Sequence, residues 1–367
     1  MGYIMKLKIL SIIVLSILLG ITFCRTVAAG ETTLFGHVSF SPTVVPRIDE
    51  FGLSTTYGPL TLNVGRQELS FGPGQIGNMV LGPQTGLDAI EFALTFKWLQ
   101  YRQFWALLDS ATSKKLFGHR LEIYAGPVTI GLSEVGLFYG ETPALFYNPL
   151  PFPYLVTQVL FYYNGNDMPN SHANMLLGID LKWQPYDGLE LYGEFLVDDY
   201  PFSVPATAPM RTGGLAGLVY RDLPVGELII EYARINRFTY CHYTSKTDYA
   251  FLGTSLGHWA GPDTDLVTIK YTWDPLETLT LAPSLTLQRH GEGQLGDRWH
   301  KSDGPSPIFL SGEIENSVGL KLDAAYRLSD YAVLSGYLGG AVHVRVGVEE
   351  AIWRASGTFG VELHVQF

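Results

Sequence analysis

A chain of 367 residues with 35 acidic against 24 basic side chains carries −11 at neutral pH and repels nucleic acid and anionic lipid rather than seeking them. Hydrophobic residues make up 47% and charged ones only 16%, an odd balance for a soluble enzyme. Beyond Ala29 no stretch approaches the roughly 18 uninterrupted apolar residues of a membrane helix, so the apolar material is spread out in short pieces.

Lys6 and Lys8 precede an apolar run from Ile9 to Phe23, and Val27-Ala28-Ala29 supplies small residues just beyond it. This is the layout of a secretory signal peptide and predicts cleavage near Ala29, with 1–29 the signal and 30–367 the mature chain. A single membrane anchor is the competing reading of the run. Cys24 is not a lipoprotein site, because Thr22-Phe23 in front of it are not small. Loss of Lys6, Lys8 and Arg25 leaves 21 basic against 35 acidic residues, about −14. Cys241 then stands alone, so no intrachain disulfide forms.

From there the chain alternates with a period of two. Met175, Leu177, Ile179, Leu181 and Trp183 interleave with Leu176, Gly178, Asp180 and Lys182, and Val267, Ile269, Tyr271 and Trp273 with Thr268, Lys270 and Thr272. Such a pattern puts one face of an extended segment in an apolar medium and the other in a polar one. Strands are predicted near 32–41, 47–57, 60–69, 87–97, 100–109, 117–125, 127–136, 172–184, 188–199, 211–221, 226–236, 264–273, 277–289, 314–327, 330–345 and 353–367. Every second connection is a tight turn, among them Tyr57-Gly58-Pro59, Ala125-Gly126-Pro127, Pro185-Tyr186-Asp187-Gly188 and Asp274-Pro275-Leu276-Glu277. Most intervening ones are long: 70–86, 137–171, 200–210, 237–263 and 290–313.

A soluble sandwich has no reason to sort its loops by side, whereas a bacterial outer-membrane barrel does. The expected fold is all-β: a transmembrane antiparallel up-and-down β-barrel of about 16 strands, with 18 possible if part of 154–164 also spans. Short periplasmic turns, long extracellular loops and two periplasmic termini follow from the even count. Phe359, Val361, Leu363, Val365 and Phe367 share one face and end on an aromatic, which resembles the signal read by the barrel-insertion machinery. The other partner implied is outer-membrane lipid; nucleic acid is not a partner. Alternation assigns Arg120, Glu122, Tyr124, Asp180, Lys182, Glu190, Tyr192, Glu194, Asp198, Lys270, Lys321, Asp323, Glu362 and His364 to the lumen. There they form an ion-pair lattice, line a water-filled pore, or hold a ligand.

Patterns that look like chemistry lack their context. Gly253-Thr254-Ser255-Leu256-Gly257 matches a nucleophile elbow but sits in a long loop, without the strand and helix the strained turn needs. Gly291, Gly293 and Gly296 match a dinucleotide fingerprint with no helix to follow. His242, Cys241 and His258 lack metal-site spacing. No catalytic residue, metal site or cofactor is expected, and the chain reads as non-enzymatic; a hydrolase using Ser133 or Ser255 is the weakest alternative.

One block is more specific. Arg66-Gln67-Glu68-Leu69-Ser70-Phe71-Gly72-Pro73-Gly74 is followed by His119-Arg120-Leu121, Ile130-Gly131-Leu132-Ser133-Glu134, Tyr147-Asn148-Pro149-Leu150-Pro151, Gly178-Ile179-Asp180 and the run Leu191 to Asp199. In that order and spacing the block, about residues 60–200, resembles the Wzi-type capsule assembly family of outer-membrane proteins. The resemblance implies a barrel that acts as a surface lectin holding capsular polysaccharide. Candidate ligand-binding residues are Arg66, Gln67, Arg120, Glu134, Tyr147, Asp180, Tyr192, Glu194, Asp198 and Asp199. A sugar site needs aromatic faces, and the long loops offer Phe138, Tyr139, Phe146, Tyr147, Phe152, Tyr154, Tyr200, Phe202, Tyr240, Tyr243, Trp259 and Trp299, although rim aromatics also form the girdle of any such barrel. The acidic balance argues against a strongly anionic polymer unless a divalent cation bridges it, and clustered oxygens at Asp198 and Asp199 offer a place for such a calcium. The alternative function is a diffusion porin, with the loop 137–171 a candidate inward plug or constriction.

Overall fold

The computed structural model describes residues 31–41, 44–149, 152–156, 172–199, 209–303, 309–346 and 352–366. The expected signal segment 1–29, the terminal Phe367, and the loop aromatics Tyr200 and Phe202 lie outside them.

The alternating segments become strands that pair with their sequence neighbours and close on themselves. The strands are β1 (Glu31–Ser41), β2 (Val44–Tyr57), β3 (Leu60–Phe71), β4 (Leu81–Phe96), β5 (Leu99–Asp109), β6 (Lys114–Ala125), β7 (Val128–Tyr139), β8 (His172–Tyr186), β9 (Leu189–Asp199), β10 (Arg211–Tyr220), β11 (Glu227–Ile235), a small hairpin β12 (Ala250–Phe251) with β13 (Thr254–Ser255), then β14 (Thr264–Leu276), β15 (Leu279–His290), β16 (Ile314–Ser329), β17 (Ala332–Val346) and β18 (Ile352–Gln366). All but β12 and β13 form one closed barrel of 16 antiparallel strands, as expected. The seam matches β1 to β18 over His37↔Gln366 through Phe40↔Leu363. β7 pairs directly with β8, from Val128↔Trp183 to Tyr139↔His172, so nothing between them enters the wall. The closed barrel of 16 leaves no place in the wall for the 18-strand alternative, whose segment 154–164 lies mostly outside the described residues.

Lipid cannot satisfy an unpaired backbone group, and closure is the only arrangement of strands that leaves no edge. The short turns gather at one end, where Gly126 (φ 61°) and Gly188 (φ 90°) adopt the left-handed conformation a tight reversal requires. The long loops gather at the other end.

Most of the outward residues described are apolar and exposed; Leu320 is 64% and Phe359 80% accessible, with Ile130, Leu132, Ile179, Leu181, Phe195, Leu287 and Leu338 on the same outer surface. Tyr57, Phe96, Trp98, Trp183, Tyr186, Tyr326 and Tyr331 form an exposed aromatic ring near the short turns, where amphipathic rings meet a membrane–water interface. The interior faces carry the polar set expected from alternation. Arg120, Asp180, Glu194 and Asp198 are all buried.

A barrel of this width cannot fill its own lumen, and here the long loops fill part of it. Buried residues of the wall (Leu69, Phe104, Leu116, Leu196, Leu215, Ile229, Leu266) form one hydrophobic core with Met79, Val80, Tyr240, Tyr249 and Leu256 from two loops. Loops 72–80 and 236–263 enter the lumen, whereas the described part of the candidate plug 137–171 does not; residues 150–151 and 157–171 lie outside the described part.

Candidate functional site

Loop 72–80 leaves β3 and turns into the lumen, where it has no strand partner for its amides. Two wall carboxylates take them. Glu194 on β9 accepts the N–H groups of Gly74 (2.9 Å) and Met79 (2.7 Å). Glu231 on β11 accepts those of Gln75, Ile76 and Gly77 at 2.9, 3.2 and 3.1 Å, together with the Tyr192 hydroxyl at 2.8 Å. Buried carboxylates are tolerated only with such a donor set. Gly72 sits at φ 132° against the Glu194 carboxylate, where no side chain fits.

Loop 236–263 packs over this segment. The Tyr240 hydroxyl donates to Met79 O (2.7 Å) and accepts His258 N–H (3.1 Å), while Tyr249 donates to Val80 O (2.8 Å). Asp198, at the end of β9, accepts Tyr240 N–H at 2.6 Å. Burial raises both tyrosine hydroxyl pKa values, pushes the Cys241 thiol up to about 12 and holds His258 down to about 4. Asp263 (φ 56°) is a buried hub that accepts Gly293 N–H at 2.9 Å and bonds Ser311 through both its amide and its hydroxyl. The dinucleotide-like glycines are explained here, because a Cβ at Gly291 or Gly293 would collide with Asp263. The elbow-like segment is a hairpin turn in which Ser255 Oγ accepts Gly257 N–H at 3.0 Å.

Below the plug the walls of β2–β8 are cross-linked by charge. Arg120 makes a two-pronged pair with Asp180 (2.5 and 2.8 Å) and also donates to Glu122 (2.8 Å) and Ser133 (2.7 Å). Ser54, Asn63, Glu91 and Arg102 form a second chain, and Arg102 lies over the Phe71 ring at 5.4 Å. Arg120, Asp180, Tyr192 and Glu194 are thus brought into one lumenal region, with buried Gln67 higher on β3.

Four other candidates lie elsewhere. Arg66 pairs with Asp88 (2.8 Å), both solvent-accessible and on the outward alternation of β3 and β4. Glu134 alternates with Ser133, which faces Arg120, so it points outward beside Leu132. It escapes lipid because residues 141–149 and 152–156 fold over the outer wall of β5–β8. There Glu134 accepts Tyr154 N–H (2.6 Å) and Leu155 N–H (2.5 Å) and lies 2.9 Å from His119 Nε2. Gln103 anchors the same strap through Asn148 O (2.8 Å), and Phe117, Phe138, Phe146 and Tyr154 bury one another beneath it. Tyr147 packs its half-exposed ring on Phe117, 4.9 Å between centroids. Asp199 ends β9 opposite Arg211, its side chain outside the described part.

Of the loop aromatics, Phe138, Phe146, Tyr154 and Tyr240 are buried in packing, whereas Tyr147, Phe152, Tyr243 and Trp259 are exposed. Glu231, Glu91, His119 and Asp263 escaped the sequence reading. Glu231 is the unlike residue in an apolar strand (Leu228-Ile229-Ile230-Glu231), the one signal that marks it. Among the described residues no cluster of His, Cys, Asp or Glu is arranged to hold a metal ion, and Asp198 is engaged with a backbone amide.

A closed antiparallel barrel with an apolar outer surface, an aromatic ring at its short-turn end and a charged lumen is an outer-membrane β-barrel in fold. Its fold is similar to that of Wzi, an outer membrane protein involved in group 1 capsule assembly in Escherichia coli and a carbohydrate-binding β-barrel, with 12% identity over 92% of this chain and 84% of that one and a TM-score of 0.59. The Wzi-type resemblance read from the residues thus meets a likeness in fold. The outer-membrane channel DcaP of Acinetobacter baumannii (10% identity, 93% and 98% covered, TM-score 0.46) and a mutant of the Rh. blastica porin (10%, 92% and 100%, TM-score 0.42) align more loosely. No family model and no curated protein sequence matches the chain.

Proposed function

We propose that the chain binds and anchors surface polysaccharide, capsular or exopolysaccharide, at the outer membrane without catalysing a reaction, with its long loops extracellular and both termini periplasmic. The supporting observation is the clamp of Glu194 and Glu231 on loop 72–80, five backbone N–H groups held by two carboxylates. A lumen closed off in this way on the β3–β11 side suits a fixed binding surface better than a free diffusion path. Exposed Tyr243 and Trp259 in loop 236–263 supply aromatic faces for sugar rings. The fold likeness to a carbohydrate-binding barrel supports the same reading.

Deletion of the gene should release extracellular glycan into the medium; undiminished retention on the cells would overturn the proposal. The competing reading, a diffusion porin, is favoured by the cavity left along β14–β18. Purified protein in a planar bilayer separates the two: steady open conductance belongs to the porin, silence to the plugged binder.

A further inference from the structure

The two halves of the lumen are built differently. On the β3–β11 side the interior is occupied by the plug and its carboxylates. Along β14–β18 it is a cavity of about 510 Å³ whose ceiling is Gln75, Ile76 and Trp259 from the plug and whose wall is mostly glycine, serine and threonine, with Lys270, Lys321, Asp323 and His343 among them. A second cavity of about 220 Å³ continues from it, sharing Asp323, and is lined by Tyr337 and Glu362. The larger volume lies within the ordinary range of small-ligand sites, about 300–1,000 Å³.

The chemistry of this lane is unlike that of the rest of the interior. Gly319, Gly339 and Gly340 present bare backbone on neighbouring strands. Gly360 is held free of a side chain by the Tyr337 ring, which a Cβ there would enter. Thr268 and Thr286 face each other across β14 and β15, their hydroxyls 3.1 Å apart, each able to donate or accept. Two aromatic rings stand in the lane: Trp259, 51% exposed, in the first cavity, and Tyr337 in the second. Lys321 pairs with Asp323 at 2.7 Å and lies over the Tyr337 ring at 4.9 Å. Lys270 projects into the first cavity and makes no ion pair among the described residues.

Aromatic faces, ambivalent hydroxyls and a flat wall fit the alternating C–H and O–H surfaces of a sugar chain. An ammonium group without a carboxylate, in an otherwise acidic protein, calls for one on the ligand. We infer that the lane from Trp259 to Tyr337 is a binding site for a short acidic oligosaccharide bearing uronic acid residues, with Lys270 meeting a sugar carboxylate and the two rings stacking on sugar faces. The inference rests on the polysaccharide-binding proposal and places its site within the lumen.

The test is calorimetric titration of the detergent-solubilised full barrel with oligogalacturonates, glucuronate-containing oligosaccharides and size-matched neutral oligosaccharides. Heat-modifiable gel mobility confirms folding of each variant. The wild type should bind an acidic oligosaccharide more tightly than its neutral counterpart. Lys270→Gln should lower the preference for the acidic over the neutral ligand about tenfold or more, as loss of a charged hydrogen bond does. Trp259→Ala and Tyr337→Ala should weaken both. Binding that none of the three substitutions alters would overturn the inference. So would a wild type that takes up no oligosaccharide yet retains whole surface polymer, an outcome that spares the broader proposal. Absence of both oligosaccharide and polymer binding ends both.

Discussion

His119 and Glu134 meet across β6 and β7 with Nε2 and Oε2 2.9 Å apart, on the outward face of a barrel whose neighbouring positions carry Leu132 and Ile179. A charged side chain facing hydrocarbon costs on the order of a few kcal/mol at mid-depth, and the strap of 141–149 and 152–156 removes that cost by covering the pair. Glu134 also fixes the strap through the Tyr154 and Leu155 amides.

Glu134→Ala should therefore free the strap without opening the barrel. Each buried amide that loses its acceptor is destabilised by about 1–3 kcal/mol. Proteinase K treatment of the variant in liposomes should cut within 141–156 while the barrel fragments stay heat-modifiable. Protection equal to wild type would mean that the aromatic cluster around Phe146 holds the strap unaided.

The plug has a comparable dependence. Removing Glu231 strands three amides and the Tyr192 hydroxyl, and removing Glu194 strands two more. The Glu194→Ala/Glu231→Ala double variant should convert a silent barrel into one with stepwise conductance in planar bilayers. Glu231→Gln, which keeps an acceptor oxygen, should be intermediate. A silent double variant would assign the closure to loop 236–263.

Arg120 and Asp180 are 4% and 6% exposed at their side chains, so neither tolerates the loss of its partner. Arg120→Ala should destabilise by about 3–5 kcal/mol, read as a lowered urea midpoint of tryptophan fluorescence in detergent, whereas Arg120→Met with Asp180→Leu should recover much of the loss. Additive effects in that double-mutant cycle would contradict the pairing.

His258 gives the plug a pH dependence of defined sign. Burial holds its pKa near 4, against 6.5 in an unfolded chain, so the docked loop prefers the neutral imidazole. Stability is complete above pH 6.5 and falls as the pH drops toward 4, by about 3 kcal/mol across that interval. Hydrogen exchange in loop 236–263, corrected for intrinsic rates, should be faster at pH 5 than at pH 7. His258→Asn should abolish that difference while keeping an acceptor for Ala260 N–H.

The wall was legible in the sequence because lipid and water impose the period of two directly on it: β9 and β14 sit where Leu189–Asp198 and Val267–Trp273 alternate. The lumenal placement of Arg120, Asp180 and Glu194 followed from the same rule. Loop docking did not, because a carboxylate binding backbone amides 115 to 156 positions away leaves no spacing to read. Glu134 shows the difference most clearly. Its alternation with Ser133 put it on the lipid side, and that conflict with the rule was itself the mark of a covering segment. The loop 137–171 read as a candidate inward plug, whereas in its described part Phe138 and Phe146 pack outside the wall.

The seam between β1 and β18 joins the first and last strands of the barrel, among the described residues over the short run His37–Phe40 and Leu363–Gln366. Every other strand meets a neighbour it is tethered to by a turn or loop, so those pairings can form one after another as the chain is threaded into the bilayer. This last one has the longest loop to close and the least backbone to close it with, which makes it the step that decides when an open, curling sheet becomes a cylinder.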